Sequence, residues 1–148
     1  MSGIKEIKAN TFIGDYGQMA QSFELTVGGE EDSKIEKCDF VIENHFKDLT
    51  GKTESKGITA VSAKPTEEGV RIVLEVEPFI WRYDFKVSGT AGDIPIAFTK
   101  EDITETAVKD LETFCAYTEN GVNYRLYEPE SGEARPLVLF LHGGGESG

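Results

Sequence analysis

Apolar and polar residues alternate with a period of two along much of the chain between residues 4 and 98. In the stretch "SFELTV", the apolar Phe23, Leu25 and Val27 alternate with the polar Glu24 and Thr26. The stretches "CDFVIE", "VRIVLEVE" and "WRYDFKVS" repeat this alternation. Because successive side chains of a strand point to opposite faces of a sheet, the pattern predicts half-buried antiparallel strands.

The same alternation predicts which residues of the last three stretches point inward, and the segments between them predict loops. Between the strands lie "VGGEEDSK", "DLTGKTESKG", "KPTEEG" and "SGTAGD", whose glycine, proline, serine and charged residues are typical of loops. Several strands without helices between them predict a mainly β fold, with an immunoglobulin-like β-sandwich over residues 1–100. The residues predicted to point inward are Cys38, Phe40, Ile42, Val70, Ile72, Leu74, Val76, Trp81, Tyr83, Phe85 and Val87.

The pattern changes after the predicted sandwich. Residues 101–112 are predicted to be a linker, and "KEDITETAVKDLE" is the one candidate for a short helix. Residues 114–129 predict two strands around a turn at Asn120 and Gly121, because Asn-Gly is a strong hairpin signal. Residues 137–141, "LVLFL", are apolar at every position, which predicts a strand buried on both faces. Residues 113–148 are therefore predicted to begin a second domain.

The glycine-rich stretch "HGGGESG" that follows is open to four interpretations. Gly143, Gly145 and Gly148 match the GxGxxG pattern of a dinucleotide-binding turn. Gly143 and Gly148 have the glycine spacing of a phosphate-binding loop. The stretch "GESG" could begin a GxSxG nucleophile elbow with Ser147 as the nucleophile, and the whole stretch could be an oxyanion-hole loop. A merely structural tight turn is the remaining explanation.

The context favours the oxyanion-hole loop. An ester carbonyl under attack gains negative charge on oxygen, which backbone N–H groups stabilise from about 3 Å away. Glycines let the backbone approach that oxygen closely. In α/β-hydrolases such a loop follows the third strand. The motif here follows a predicted hairpin and an apolar strand, which is the same order.

The stretch "NYRLYEPESGEARPLVLFLHGGGESG" resembles the start of an α/β-hydrolase esterase domain, of the group related to polyhydroxybutyrate depolymerases and dienelactone hydrolases. The sandwich before it is similar to the N-terminal immunoglobulin-like domain of some bacterial members. The resemblance implies a serine carboxylesterase that uses no cofactor and no metal. It implies a small ester as substrate and the remainder of the hydrolase domain as partner. It places the oxyanion-hole loop at His142, Gly143, Gly144, Gly145 and Glu146.

The sequence departs from that family in its catalytic residues. No complete GxSxG is present, and the two histidines are His45 and His142. His45 is predicted to lie on the surface or on an edge strand, and His142 to orient the loop. We therefore expect the chain alone to be inactive. The alternative function is a stand-alone immunoglobulin-like module that binds carbohydrate or protein, for which an aromatic platform around Trp81 would be the sign.

Charge and cysteine content restrict the partners further. The net charge is −12, so nucleic acid and anionic membranes are not expected to bind. Cys38 and Cys115 are predicted to lie in different units as free, buried thiols, which suits a reducing compartment. Residues 1–10 show no signal peptide, so a cytoplasmic location is the default, although a secreted parent stays open. Self-association through the sandwich or the C-terminal strands is a further expectation.

Overall fold

A computed structural model describes residues 3–28, 35–67, 71–109, 111, 113–128 and 132–141. The chain divides into two compact units, Met1–Glu112 and Thr113–Gly148. Among the described residues no helix has the length and apolar character needed to cross a membrane. The strands are β1 (Ile4–Gly14), β2 (Gly17–Val27), β3 (Cys38–Lys47), β4 (Thr53–Thr59), β5 (Ser62–Pro65), β6 (Arg71–Ile80), β7 (Asp84–Ala91), β8 (Ile94–Thr99), β9 (Glu105–Val108), β10 (Phe114–Glu119) and β11 (Val122–Tyr127).

The first unit is a sandwich of two sheets. One sheet has the strand order β5-β6-β2-β1-β9, and the other has the order β4-β3-β7-β8. Every neighbouring pair in the two sheets is antiparallel except β1 and β9, which run parallel. One apolar face of each sheet is buried against the other, so the predicted mainly β architecture is confirmed.

Most of the residues predicted to point inward lie in the core, although Cys38 is half-buried and Val70 lies outside the described residues. Phe23 is fully buried, with its ring centroid 5.5 Å from those of Phe85 and Phe98. Such tilted and edge-to-face aromatic pairs add to the free energy gained by burying the rings. The fully or nearly fully buried residues from the predicted strands are Phe23, Leu25, Val27, Phe40, Ile42, Ile72, Leu74, Val76, Phe85 and Val87.

Trp81 and Tyr83 differ from the prediction that they belong to a strand. Strand β6 continues through Pro78 to Ile80, so residues 81–83 form the turn into β7. Both side chains are half-buried rather than buried. The alternation is correct for these positions, but the element is wrong, because the chain must reverse direction where β6 ends. Pro78 lies where the pairing of β6 with β2 shifts register, as expected for a proline inside a sheet.

Several stretches predicted as loops are strand in part, including "KPTEEG", which contains the end of β5. "DLTGKTESKG" contains the start of β4, and "SGTAGD" contains the end of β7. Strand β4 is an edge strand whose side chains are exposed except for Ile58, so its sequence shows no alternation. Backbone hydrogen bonds to β3 stabilise β4. The strand propensities of its residues do not indicate this pairing.

The stretch predicted as a linker also contributes to the sandwich. A 3-10 helix, Lys100–Asp102, extends into its first residues, and strand β9 lies within it. Thr104 fixes the start of β9, because its N–H and its Oγ1 both donate to the carbonyl oxygen of Ile7, at 2.9 and 2.8 Å. The β-branched residues of this stretch suit a strand better than the candidate helix. The helix prediction is therefore reduced to a single 3-10 turn.

The second unit contains a two-stranded antiparallel sheet formed by β10 and β11. Asn120 and Gly121 connect the strands with φ angles of 51° and 79°. A two-residue hairpin turn of type I′ requires positive φ at both positions, which Asn-Gly adopts readily. The predicted hairpin is confirmed at the predicted turn.

Candidate functional site

The predicted oxyanion-hole loop lies outside the described residues. His142, Gly143, Gly144, Gly145 and Glu146 all fall there, since the described part of the chain ends at residue 141. The competing dinucleotide, phosphate-loop and nucleophile-elbow interpretations depend on the same stretch. The described residues nearest to the motif are the apolar segment 137–141 and the β10–β11 hairpin.

The apolar segment 137–141 does not form the predicted strand in the described structure. Its five side chains are between 77% and 86% exposed. A strand buried on both faces needs a neighbouring strand to pair with and covering layers above and below the sheet. The sheet of this unit, as far as the structure describes it, contains only β10 and β11. The segment therefore presents a continuous apolar surface directly before the glycine-rich motif.

The hairpin has two chemically different faces. Tyr117 pairs with Tyr124 across the strands, and their rings are stacked with centroids 5.5 Å apart. On the opposite face, the Arg125 guanidinium lies 5.9 Å from the centroid of the Phe114 ring. Side chains alternate between faces along each strand. By the strand register, the more apolar face, which we call the tyrosine face, carries Cys115, Tyr117, Glu119, Val122, Tyr124 and Leu126.

Electrostatics on the tyrosine face do not favour proton abstraction. Negative charge on Cys115 raises the pKa of the Tyr117 phenol, and the Glu128 carboxylate raises it further. A phenol with a raised pKa keeps its proton at neutral pH and acts as a hydrogen-bond donor. The tyrosine face therefore offers apolar contact area rather than a general base.

His45 forms a polar cluster on the sandwich that its sequence context does not reveal. Its Nδ1 lies 2.7 Å from the Oγ of Ser55, and its Nε2 lies 4.0 Å from a carboxylate oxygen of Glu43. Strand pairing between β3 and β4 brings Ser55 opposite His45. His45 and Ser55 belong to no common sequence motif, so only knowledge of the pairing between β3 and β4 could have revealed their contact.

The residue types of this cluster are those of a nucleophilic triad, but the surroundings are not. The side chains of His45 and Glu43 are 37% and 58% exposed, so water screens their interaction. Strand β3 lies between β4 and β7, and its backbone N–H groups are used in pairing rather than aimed at a bound oxyanion. His45 is thus a surface histidine, as predicted, although its strand is an interior one.

Trp81, around which the binding-module alternative would need an exposed aromatic platform, is half-buried against the sandwich core. The Trp81 ring packs 5.6 Å from Phe85, which is buried. The Lys100 ammonium lies 5.2 Å from the centroid of the Trp81 ring and donates to the Trp81 carbonyl oxygen at 2.6 Å. Trp81 lies in the β6–β7 turn and packs on Phe85 of the core, while Lys100 of the 3-10 helix contacts its ring and its carbonyl oxygen. Trp81 therefore links the 3-10 helix to the β6–β7 turn. It does not present a free surface for stacking a ligand.

An open depression of about 270 Å³ lies between β1 and β8. Small-molecule sites are usually clefts of about 300–1,000 Å³ with mainly apolar walls and a few convergent polar groups. This depression is smaller and shallow, and several of its polar groups stabilise the fold, as Thr104 does against Ile7. Its lining residues are Ile4, Lys5, Glu6, Ile7, Ala97, Phe98, Asp102 and Thr104.

Thiols and metal ligands complete the inventory of reactive groups. In the part of the chain that the structure describes, neither Cys38 nor Cys115 forms a disulfide. Cys38 is half-buried against the core, and burial raises the pKa of its thiol. Cys115 is exposed, which corrects the expectation that both thiols are buried. Within the described ranges, no group of three or more histidine, cysteine, aspartate or glutamate residues could hold a metal ion.

Comparison with known proteins shows a likeness at the level of the fold. No model of a protein family matches the chain, and no curated protein matches it. Among solved structures, the chain is similar to a thermostable esterase, with a TM-score of 0.53, 16% identity and 87% of this chain covered. At this identity the likeness shows a shared fold. The chain spans 44% of the length of that esterase.

Proposed function

We propose that this chain is the N-terminal part of a serine carboxylesterase. In this proposal, residues 1–112 form an accessory β-sandwich, and residues 113–148 contain the first strands and the oxyanion-hole loop of an α/β-hydrolase domain. The observation that carries the proposal is the order of elements before the motif. An Asn-Gly hairpin, an apolar segment and "HGGG" occur in this order along the chain.

The fold likeness to the thermostable esterase supports the same proposal. The alignment covers 87% of the 148 residues, which is more than the sandwich unit of 112 residues can account for. Part of the second unit therefore shares the likeness. Since the esterase chain is more than twice as long as the matched part, the remaining length leaves room for the nucleophile and the other catalytic residues.

The strand orders support an immunoglobulin-like topology for the sandwich. In immunoglobulin-type domains, strands A, B, E and D form one sheet, and strands C, F and G form the other. Naming β1 to β8 in chain order as A, B, C, C′, D, E, F and G gives D-E-B-A in one sheet and C′-C-F-G in the other. Strand β9 then extends the first sheet beside strand A.

The proposed chemistry assigns the loop residues their roles. The backbone N–H groups of Gly144 and Gly145, together with that of Glu146, would donate to the oxygen of a tetrahedral intermediate. His142 would orient the loop. The nucleophilic serine, the aspartate and the general-base histidine would come from sequence beyond this chain. The sandwich would pack on the hydrolase domain and influence access to its active site.

The stand-alone binding module gains no support from the described residues. Its expected sign was an exposed aromatic surface around Trp81, and that ring is half-buried against Phe85 and Lys100. The acidic net charge of −12 also makes the chain a poor ligand for polyanions. An accessory role beside a catalytic domain is therefore the better explanation of the sandwich.

The first test is to extend the reading frame beyond residue 148 and assay the product with p-nitrophenyl esters of short acids. We expect a GxSxG, an aspartate and a histidine to follow in that order, and we expect activity to disappear when the elbow serine is replaced by alanine. A stop codon at position 149, or a lysine there followed by serine or threonine, would contradict the proposal.

The role of the loop is tested in the same extended protein. Gly144→Pro removes one backbone N–H, so kcat should fall by about 10²–10³ with little change in KM. Gly132→Ala is the matched control, since nothing lies within 4 Å of its added Cβ. The 148-residue chain alone should show no activity. Hydrolysis by that chain that Ser147→Ala abolishes would instead place the nucleophile in this sequence.

A further inference from the structure

We propose that one end of the sandwich is the surface that packs on the hydrolase domain of the same polypeptide chain. This surface, which we call the exit end, consists of the connections at residues 15–16, 48–52 and 81–83 and the side chains beside them. The inference rests on the proposed function, which supplies the hydrolase domain. It adds which part of the sandwich makes the contact.

Strand pairing brings the three connections to the same end of the two sheets. Gln18 follows the first connection, and its carbonyl oxygen accepts a hydrogen bond from the N–H of Trp81 in the third, at 2.9 Å. The third connection leads into Asp84, which pairs with His45 near the end of β3, where the second connection begins. One surface of the sandwich therefore contains all three connections.

The chain leaves the sandwich at this same end. Strand β9 runs parallel to β1 and therefore toward the connection between β1 and β2. Its last residue, Val108, pairs with Thr11, and the N–H of Lys109 donates to the Thr11 carbonyl oxygen at 2.7 Å. The chain is thus attached to the sandwich up to the level of Thr11, near the end of β1 at Gly14.

The connector that follows is short. Five residue steps lead from Lys109 to Phe114, where β10 begins. An extended chain spans at most about 3.6 Å per residue, so five steps reach no more than roughly 18 Å. The N–H of Leu111 donates to the Val108 carbonyl oxygen at 3.3 Å, which shortens the connector. A domain that begins at residue 113 therefore starts close to the exit end.

Exposed apolar residues of the sandwich unit are concentrated at the exit end. In the described part of residues 1–112, six large apolar side chains are exposed. Four of them lie at the exit end or in the connector, namely Ile13, Tyr16, Leu49 and Leu111, whereas Val41 and Val61 lie elsewhere. Apolar side chains gathered on one surface indicate an interaction site, while scattered ones are ordinary.

The third connection lies between the other two and adds aromatic and cationic groups. Its strands β6 and β7 pair with β2 and β3, which border the first and second connections. Tyr83 contacts Phe46, with ring centroids 5.8 Å apart, and the Arg82 guanidinium lies 5.0 Å from the Tyr83 centroid. Tyrosine and arginine are enriched among the residues that contribute most to interfaces. The exit end therefore has the mixed polar and apolar character that is typical of interfaces between domains of one chain.

Charge distinguishes the exit end from the opposite end of the sandwich. The three connections of the exit end carry two acidic and two basic residues, a net charge of zero. The connections at the opposite end, residues 28–37, 66–70 and 92–93, carry seven acidic and two basic residues, a net charge of −5. Burying charged groups is costly, and the cores of interfaces are depleted of them. Packing on the exit end therefore costs less desolvation.

Hydrogen exchange of the 148-residue chain, and of the same chain extended through the rest of its reading frame, tests the proposal. We expect the amides of residues 81–84 to exchange at least about tenfold more slowly in the extended protein, because the hydrolase domain covers them. The amides of residues 92–94, at the opposite end, should exchange equally fast in both proteins.

A substitution at the exit end provides the second readout. In the extended protein, Tyr16→Ser removes an exposed contact residue and should speed exchange at residues 81–84 by roughly fivefold. Val61→Ser is the matched control, because Val61 is 69% exposed, as against 75% for Tyr16, and lies away from the exit end. It should leave these rates unchanged. In the 148-residue chain, neither variant should alter exchange at residues 81–84.

The outcomes separate this inference from the proposed function. Equal exchange at residues 81–84 in the two proteins, when the extended one hydrolyses esters, would overturn the inference and leave the proposed function intact. A reading frame that encodes no hydrolase domain would refute both. Protection that arises in the 148-residue chain as its concentration is raised would identify a second copy as the occupant, and would also overturn the inference.

Discussion

The two units of this chain are made of similar strands, yet they bury their apolar residues to very different extents. In the sandwich, Phe23, Leu25 and Ile42 are fully buried between two sheets. In the hairpin, the apolar side chains of β10 remain exposed, although the strand pairs in regular register with β11. Strands are paired through their backbones in both units. What differs is the presence of a second layer.

This contrast shows that strand pairing and core formation are separate contributions to stability. Hydrogen bonds of a ladder replace hydrogen bonds to water, so each contributes only about 0.5–1.5 kcal/mol. Removing apolar side chains from water supplies the larger driving force. The sandwich has both contributions, and the hairpin as described has mainly the first. Substitutions should therefore act differently in the two units.

The largest expected difference concerns aromatic residues. Phe23→Ala removes a ring that contacts Phe79, Phe85 and Phe98, so the free energy of unfolding should fall by about 3–5 kcal/mol. Urea unfolding followed by the fluorescence of the single tryptophan, Trp81, measures it. Tyr117→Ala in the hairpin is the control and should leave that transition unchanged. Equal shifts for the two variants would contradict the contrast between the units.

The next effect concerns close approach of strands inside the sandwich. A Cβ at Gly89 would collide with the backbone carbonyl oxygen of Asp39 and with Phe40. Gly89→Ala should therefore destabilise the sandwich by about 1–3 kcal/mol, as overpacking does. Gly57→Ala lies on the edge strand β4 with nothing within 4 Å of the added Cβ. Its midpoint in urea should match that of the parent, and a loss as large as that of Gly89→Ala would refute this packing argument.

A glycine of the hairpin acts through backbone conformation instead. Gly121 has a φ of 79°, which costs an L-residue about 1–2 kcal/mol. Gly121→Ala should speed hydrogen exchange of the β10 and β11 amides by roughly fivefold to thirtyfold, while the sandwich amides keep their rates. Gly132→Ala has open space around its Cβ and is the control. Unchanged exchange in Gly121→Ala would mean that the turn does not determine the hairpin's stability.

The smallest effect concerns the two thiols. Burial raises the pKa of Cys38 and limits the access of reagents to its sulfur, whereas Cys115 is exposed. In dilute protein, iodoacetamide should therefore label Cys115 first, and mass spectrometry of the peptides gives both rates. Urea should remove the difference. Faster labelling of Cys38 in the native chain would show that its site opens readily.

The raised pKa of Cys38 also makes the stability of the sandwich depend on pH. The folded state holds the Cys38 proton more tightly than the unfolded state does, because burial raises the folded pKa. The stability that this provides is present below the unfolded pKa and is lost as pH rises through the folded pKa. The urea midpoint of the parent should therefore fall more in alkaline solution than that of Cys38→Ala.

Alternation predicted the strands whose two faces differ most. Strands β2, β3 and β6 were correct because one face of each packs on the core, as Phe23, Phe40 and Leu74 show. Strand β4 was missed because an exposed edge strand has no apolar face to show in its sequence. Strand β9 was missed because its place is decided by pairing with β1, almost a hundred residues earlier in the chain. The candidate loop at residues 142–146 came from a motif alone.

By itself, the sequence determined features that depend on near neighbours along the chain. These are the period-two alternation, the Asn120–Gly121 turn and the glycine-rich motif after an apolar segment. Tertiary structure decided which strands became neighbours, that Ser55 lies opposite His45, and that Lys100 covers Trp81. It also decided that residues 137–141 stay exposed. The physical reason is that local conformation depends on adjacent residues, whereas burial depends on what the rest of the fold places against them.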